Sequence, residues 1–417
     1  MASLSPIRRR PPMSEAELNI EGMGRRGEGM ARLDDRTVFV PGTLPNEKVT
    51  AAGDGDRLAL IAIERASPDR VTPFCAYYGR CGGCQLQHWR EEPYRAWKAS
   101  LVSEQLKARG LPSEISGIID AHGAGRRRAS LHVRKRDGVV TAGFMEARTH
   151  TLLDIASCPI LEPDMARAFD MGRAIGAKLS DCDVAVTSTQ TGLDVSVRAE
   201  RKFAQAEHAK LASFVRDLNL ARLSVNGEVI ATAVPPRMQI GKASVALPPG
   251  GFLQATALGE ETLARLVIEA LGKSKSVADL FCGIGPFAFR IAERARVEAY
   301  DNDRAAIAAL NAAAKVTSGL KPITAAARDL FREPLVPNEM KELDAVVFDP
   351  PRAGAEAQAR QLARSKVKTV VAVSCDAATF ARDAEILVGG GYALNKVTAV
   401  DQFKWSSHVE IVAQFTR

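Results

Sequence analysis

From about residue 251 the chain alternates between amphipathic helical stretches and short strand-like runs. Across Thr262 to Leu271 the residues Leu263, Leu266, Val267, Ile268 and Leu271 make a broad stripe at helical spacing. Short runs at 276–281, 296–301, 343–349 and 369–374 predict strands. Ala-rich helical pieces such as 304–315 lie between them, and 409–415 predicts a last strand at the sheet edge or beside it. This alternation implies an α/β domain with a parallel sheet covered on both faces.

Upstream the periods change. Short β segments at 37–40, 47–50 and 58–63, punctuated by Pro41-Gly42, Pro45-Asn46 and Gly53-Asp54-Gly55, predict a small barrel over residues 14–66. Residues 67–250 read as mixed α+β: a cysteine-rich loop, a helix around 100–109, then arms 126–136 and 139–145 flanking Asp137-Gly138, a strong hairpin signal. In the first arm Ala129, Leu131 and Val133 alternate with Arg128, Ser130, His132 and Arg134, giving one apolar and one cationic face. Such a ribbon suits phosphates, and equally a soluble hairpin with a wet face. The third segment is 251–417.

Composition narrows the class. A chain of 417 residues with 46% hydrophobic and 25% charged residues has room for two or three cores of an ordinary globular protein. Only 6% are aromatic, which argues against wide base-stacking platforms. The charge of +7 permits a polyanionic partner without requiring one. Arg8-Arg9-Arg10 is followed by no apolar h-region, and no stretch reaches the roughly 18 apolar residues of a spanning helix, so a cytoplasmic protein without a membrane is expected. Seven cysteines, an odd number, point to ligation or catalysis rather than a disulfide framework.

Candidate chemistry gathers at the predicted strand ends. Gly283 and Gly285 follow the first strand and allow bare backbone to approach a ligand. Asp301 ends the next strand, where a carboxylate can accept from both hydroxyls of a ribose, and Asp329 is placed for an adenine edge. The turn lacks the third glycine of the dinucleotide fingerprint, and Asp349-Pro350-Pro351-Arg352 has no role in hydride transfer, so S-adenosylmethionine is favoured over NAD. Cys375 ends an apolar strand, where such folds place their chemistry. Together these features point to methyl transfer through a covalent thiol adduct. Cys75, Cys81 and Cys84 form C-x5-C-G-G-C, with Cys158, before Pro159, as a plausible fourth ligand. Four thiolates fit zinc or an iron–sulfur cluster, and the spacing is more like cluster ligation. Cys182 and Cys282 read as core.

At this point the chain resembles the S-adenosylmethionine-dependent RNA uracil-5-methyltransferases, and among them the iron–sulfur branch that acts mainly on 23S ribosomal RNA. The resemblance rests on Gly251-Phe252-Leu253-Gln254, Asp279-Leu280-Phe281-Cys282-Gly283, Asp349-Pro350-Pro351-Arg352-Ala353-Gly354, Ser374-Cys375-Asp376 and His408-Val409-Glu410, in family order. It implies a Rossmann-like class I methyltransferase domain, a central α+β domain and an amino-terminal OB-like TRAM barrel that binds RNA. It implies that Gln254, Phe281, Asp301 and Asp349 contact the methyl donor, that Cys375 is the nucleophile and Glu410 the base. A [4Fe-4S] cluster would sit on Cys75, Cys81, Cys84 and Cys158. The expected substrate is an unstacked uridine of 23S rRNA, and the expected state a monomer.

Several residues depart from the family pattern: Asp376-Ala377 replaces Asn-Pro, Phe403-Lys404-Trp405-Ser406 replaces Phe-Pro-His-Thr, and Thr256 and Pro286 each replace Asn. A tRNA uridine remains an alternative target. Rival functions are an amino-methyltransferase, which needs no thiol, and an RNA-binding assembly factor that keeps the fold without turnover.

Overall fold

A computed structural model of the chain describes residues 15–112, 114–200 and 205–417. The basic run Arg8-Arg9-Arg10 and residue 14 lie outside the described residues. The chain divides into two compact units, one of residues 1–79, 84–97 and 405–407, the other of residues 80–83, 98–404 and 408–417.

In the first unit six strands form two three-stranded antiparallel sheets. Strands β1 (Glu15–Asn19), β5 (Lys48–Ala52) and β6 (Ala59–Arg65) make one, and β2 (Gly22–Met23), β3 (Glu28–Leu33) and β4 (Arg36–Pro41) the other. Alternate residues turn inward to one core of Leu18, Ile20, Ala31, Val38, Val40, Val49, Ala51 and Leu58. This is the expected OB-like module. Glu47 is sealed from solvent, and its carboxylate takes the Arg70 fork at 2.6 and 2.8 Å together with the Leu44 and Ser67 amides. Trp405 also belongs here: its ring meets Phe74 edge-on at 4.8 Å, and its backbone bonds the Tyr94 hydroxyl and the Gln85 and Leu86 amides. That is the use this chain makes of one departure from the family pattern.

In the second unit, after the part of α1 (Glu91–Lys107) from Lys98 onward and β7 (Ile118–Asp120), comes a seven-stranded sheet. Its members are β8 (Arg128–Arg136), β9 (Val139–Met145), β10 (Leu152–Asp154), β11 (Cys182–Thr189), β12 (Gly192–Ala199), β13 (Leu220–Val225) and β14 (Glu228–Thr232), in the order β10-β9-β8-β11-β12-β13-β14. Helices α2 (Ala168–Leu179) and α3 (Gln205–Asp217) connect them. The expected hairpin is present, with Asp137 and Gly138 both at positive φ, as a tight two-residue turn demands. Its cationic face is not open. Arg134 and His132 meet Asp183, and Arg136 meets Asp181 at 2.8 Å, so acids leading into β11 take up much of that charge.

A short hairpin, β15 (Arg237–Ile240) and β16 (Ala243–Ala246), leads to the α/β sheet. Its strands are β17 (Ser276–Leu280), β18 (Arg296–Asp301), β19 (Ile323–Ala327), β20 (Ala345–Phe348), β21 (Thr369–Ser374), β22 (Ala393–Asp401) and β23 (Glu410–Thr416). The order is β19-β18-β17-β20-β21-β23-β22-β7, and only β23 runs against the rest. Helices α4 (Ala257–Leu271), α5 (Ala288–Ala292) and α6 (Arg304–Val316) cover one face, α7 (Glu356–Ala363) and α8 (Ala377–Gly389) the other. Val277, Val347 and Val371 enter the first core, and their neighbours Ala278, Phe348 and Val370 the second. Burial on both sides is why β20 and β21 read as nearly continuous apolar runs. The predicted last strand is interior rather than at the edge, because β22 and β7 lie outside it. Among the described residues no helix is long and apolar enough to cross a membrane.

Candidate active site

The sheet delivers its functional residues to one edge. Parallel β17, β18, β20 and β21 end at Leu280, Asp301, Phe348 and Ser374, and antiparallel β23 begins there with Glu410. β22 ends at Asp401, so Gln402 arrives at the same edge, and Gln254 precedes α4.

After β17 the chain turns sharply. Phe281, Gly283 and Gly285 have φ of 62°, 52° and 92°. The left-handed conformation is costly for phenylalanine and is the kind of strain found at ligand sites. A side chain at Gly283 would meet nothing within 4 Å, so bare backbone faces open space, while one at Gly285 would press on Leu310 and Phe289 at 3.0 Å. Asp301 locks the turn by accepting the Gly283 amide at 2.8 Å through Oδ2 and the Asp303 amide at 2.8 Å through Oδ1. The Phe281 and Phe331 rings lie 5.4 Å apart, and Asp329 accepts the Phe331 amide at 3.1 Å. Asp279 is fully buried in β17, and burial pushes its carboxyl up to about 8 against the pull of the Ala288 backbone.

Across the edge runs a buried chain of polar groups. Gln254 Nε2 donates to Asp349 Oδ2 at 3.1 Å, and Gln402 Nε2 donates to Gln254 Oε1 at 2.7 Å and to Glu410 Oε1 at 3.0 Å. Burial, and then the nearby Glu410, push the Asp349 carboxyl well above its ordinary value. Burial raises Glu410 to about 7, against the pull of Gln402, Arg352 and Lys98. Burial, Glu410 and Asp349 together push the Cys375 thiol up to about 12. Arg352 pulls that thiol the other way and approaches the His408 ring at 3.1 Å.

Two departures from the family pattern keep a clear physical job. Asp376 caps α8 by accepting the Ala378 and Thr379 amides at 3.0 Å, which an asparagine would also do. Thr256 caps α4 through the Gly259 amide at 2.9 Å and donates to the Ala121 carbonyl at 2.6 Å. Nothing in the structure explains Pro286 in the same way. The arginines of 126–128 are partly structural: Arg127 reaches the Gln254 carbonyl at 3.0 Å and Glu260 at 2.6 Å, and Arg128 the Leu253 carbonyl at 2.6 Å. They fasten the segment that carries Gln254. Arg128 also lies over the exposed Phe252 ring, 4.9 Å from its centre.

The cysteines behave differently. Cys75 and Cys84 fall in the first unit, Cys81 and Cys158 in the second, all half-buried. Gln87 accepts the Cys75 amide at 3.2 Å, and Cys81 bridges Glu146. As a donor set, four thiols have the chemistry of a cluster site. Among the described residues, however, no group of three or more His, Cys, Asp or Glu side chains is disposed to hold a metal ion. Cys182 and Cys282 are core thiols, as expected.

The tRNA (Uracil-5-)-methyltransferase family model matches residues 242–417, and the TRAM domain model matches residues 11–52. The 23S rRNA (uracil(1939)-C(5))-methyltransferase RlmD of Chromohalobacter salexigens is 35% identical, over 98% of this chain and 91% of that protein. This chain belongs to the RNA uracil-5-methyltransferase family. An RNA methyltransferase of Brucella suis, itself uncharacterised, is 46% identical over 96% of this chain and 98% of its own. The fold is shared with the tRNA (uracil-54, C5)-methyltransferase of Pyrococcus abyssi in complex with S-adenosyl-L-homocysteine, at 21% identity and a TM-score of 0.73, covering 96% of this chain and 100% of that one. The protein is thus an S-adenosylmethionine-dependent RNA (uracil-5-)-methyltransferase with an amino-terminal TRAM domain, as the strand-end motifs led one to expect. Nothing in the sequence alone marked Gln402 or Lys98 as neighbours of Gln254 and Glu410. Lys98 is sealed from solvent, pairs with Asp401 and donates to the Phe403 carbonyl at 3.1 Å, so it holds the segment that carries Gln402.

Proposed function

We propose that this enzyme methylates carbon 5 of a uridine in 23S rRNA through a transient bond between Cys375 and carbon 6 of the ring. The observation that carries the proposal is the convergence of a strand-end thiol, Cys375, with a buried carboxyl poised near neutrality, Glu410, at one edge. Carbon 5 of uracil is too weak a nucleophile to take a methyl group unaided. Attack of the thiolate on carbon 6 forms the C–S bond and moves the ring's π electrons into an enolate. Carbon 5 then displaces the methyl from the sulfonium, leaving S-adenosylhomocysteine, a step governed by alignment. Glu410 removes the carbon-5 proton, the double bond re-forms, and the C–S bond breaks to return Cys375.

Burial and the two neighbouring carboxyls push the Cys375 thiol up to about 12, so its proton passes to solvent as the thiolate forms. A cationic methyl donor beside Asp349, together with Arg352, supplies the opposite charge. Gln254, Asp349, Asp301, Gly283 and Gly285 are the donor's proposed contacts, with Phe281 and Asp329 toward its adenine. The target uridine leaves its stack to reach Cys375, and the exposed Phe252 ring under Arg128 offers a flat surface to a neighbouring base. Similarity to RlmD along nearly the full chain supports 23S rRNA over tRNA. Deleting the gene is expected to remove one 5-methyluridine from 23S rRNA and none from tRNA, as read by mass spectrometry of RNA digests. Loss from tRNA alone would overturn the target.

A [4Fe-4S] cluster on Cys75, Cys81, Cys84 and Cys158 belongs to the same proposal. It is supported by the donor chemistry and by the C-x5-C-x2-C spacing with Cys158-Pro159. No step of the reaction passes through it. Protein purified without oxygen is expected to contain about four irons per chain and to absorb broadly near ~400 nm. Cys81→Ala is expected to lose that iron and to lower stability or RNA binding more than the rate of chemistry. An iron-free or zinc-bearing protein would contradict this assignment.

A further inference from the structure

The structure assigns to Gln402 the role of a positioning residue: it holds one oxygen of Glu410 as an acceptor, so that Oε2 takes the proton from carbon 5, and it ties this carboxyl to the Gln254–Asp349 pair. The inference rests on the covalent pathway proposed above and specifies how its last step is prepared.

The orientation of the amides follows from one backbone group. The Thr256 N–H, 3.4 Å from Gln402, can only donate, so the atom facing it is Oε1. Gln402 Nε2 therefore faces Gln254 and Glu410, and its two N–H groups are both committed, at 2.7 and 3.0 Å. Gln254 must present Oε1 to that donor, which turns its own Nε2 toward Asp349. The relay has a single direction. A proton on Glu410 Oε1 would confront the Gln402 N–H, so the acid form carries its proton on Oε2. Gln402 is completely buried, and it sits on the segment that the Lys98–Asp401 pair holds in place.

A donor aimed at a buried carboxylate favours the charged form. Gln402 thus opposes the effect of burial on Glu410. The other groups facing Glu410 are Asp349 after β20, Arg352 beyond it, Cys375 after β21, and Lys98 on α1, which is itself paired with Asp401 at the end of β22. All of them remain when Gln402 is replaced by a residue of similar length without donors.

The test compares the full-length enzyme with its Gln402→Met variant. Formation of the covalent adduct is followed on RNA containing 5-fluorouridine, which needs Cys375 and the methyl donor but no removal of a carbon-5 proton. Release of methylated product is followed on ordinary RNA in single turnovers between about pH 6 and 9. The expected variant forms the fluorouridine adduct within about threefold of the wild-type rate, and the midpoint of its release step rises by about one pH unit. Below neutrality its release is then ~10-fold slower, and the two enzymes converge at high pH. A variant whose release keeps the wild-type midpoint overturns the inference and leaves the covalent pathway standing, as does equal slowing of adduct formation and release. A wild-type enzyme that forms no adduct overturns both. Gln402→Asn, which keeps a polar group but cannot span both partners, is read by the same criteria if the methionine variant does not fold.

Discussion

Cys375→Ser is expected to lower methyl transfer by ~10⁴-fold or more, with the fold and methyl-donor binding preserved. The substitution exchanges one atom in a half-buried position at the end of β21, next to the cap of α8, so packing barely changes. What changes is the nucleophile. A serine hydroxyl ionises far less readily than a thiol and its oxygen adds poorly to a conjugated carbon, so the enolate at carbon 5 never forms. Binding of S-adenosylhomocysteine by calorimetry and loss of methyl incorporation into RNA are the paired measurements. An amino-methyltransferase using Asp349-Pro350-Pro351 would tolerate this variant, and a non-catalytic assembly factor would show no activity to lose.

Glu410→Gln is expected to fail later in the reaction. Attack by Cys375 releases the thiol proton to solvent and methyl transfer needs no base, whereas elimination must draw the carbon-5 proton to Glu410, so the methylated ring should remain bound to the protein. Turnover falls by ~10²- to 10⁴-fold, the range of a lost general base, while the first covalent step survives. The pH dependence follows from the raised pKa. Glu410 acts as its carboxylate and is held near 7, so wild-type release climbs as pH rises through that value and levels off above it. The Glu410→Gln variant has no such group and its residual release is flat across the same range. A methylated protein–RNA species on a denaturing gel, retained by the variant and transient in the wild type, checks the prediction.

Much of this architecture was legible in the sequence because it follows from local burial. Strands covered on both faces read as apolar runs, and the strand ends fall where the pattern breaks, which brought Asp301, Asp349 and Cys375 to attention. Asp137-Gly138 announced its hairpin because two positive φ values leave few residue choices. What the sequence concealed depends on distant partners. The cationic face of β8 suited phosphates and open solvent equally, and the structure sets Asp181 and Asp183 against its arginines. That pair flanks Cys182 at the start of an alternating run, a signal that could have been weighed. β7 is three residues long and gains meaning only beside β22. Gln402 is an unremarkable glutamine until the segments of Gln254, Thr256 and Glu410 surround it. Asp376, which looked like a departure at the nucleophile, retains the helix cap an asparagine would provide.

Incubating the enzyme and S-adenosylmethionine with RNA in which 5-fluorouridine replaces uridine isolates the bond on which everything else depends. Fluorine cannot leave as a cation, so a ring methylated at carbon 5 stays attached. Digestion and mass spectrometry should then find a methylated fluorouridine on the peptide containing Cys375. Full incorporation of methyl groups into unsubstituted RNA, with no nucleotide on that cysteine from the fluorinated RNA, would contradict the covalent pathway.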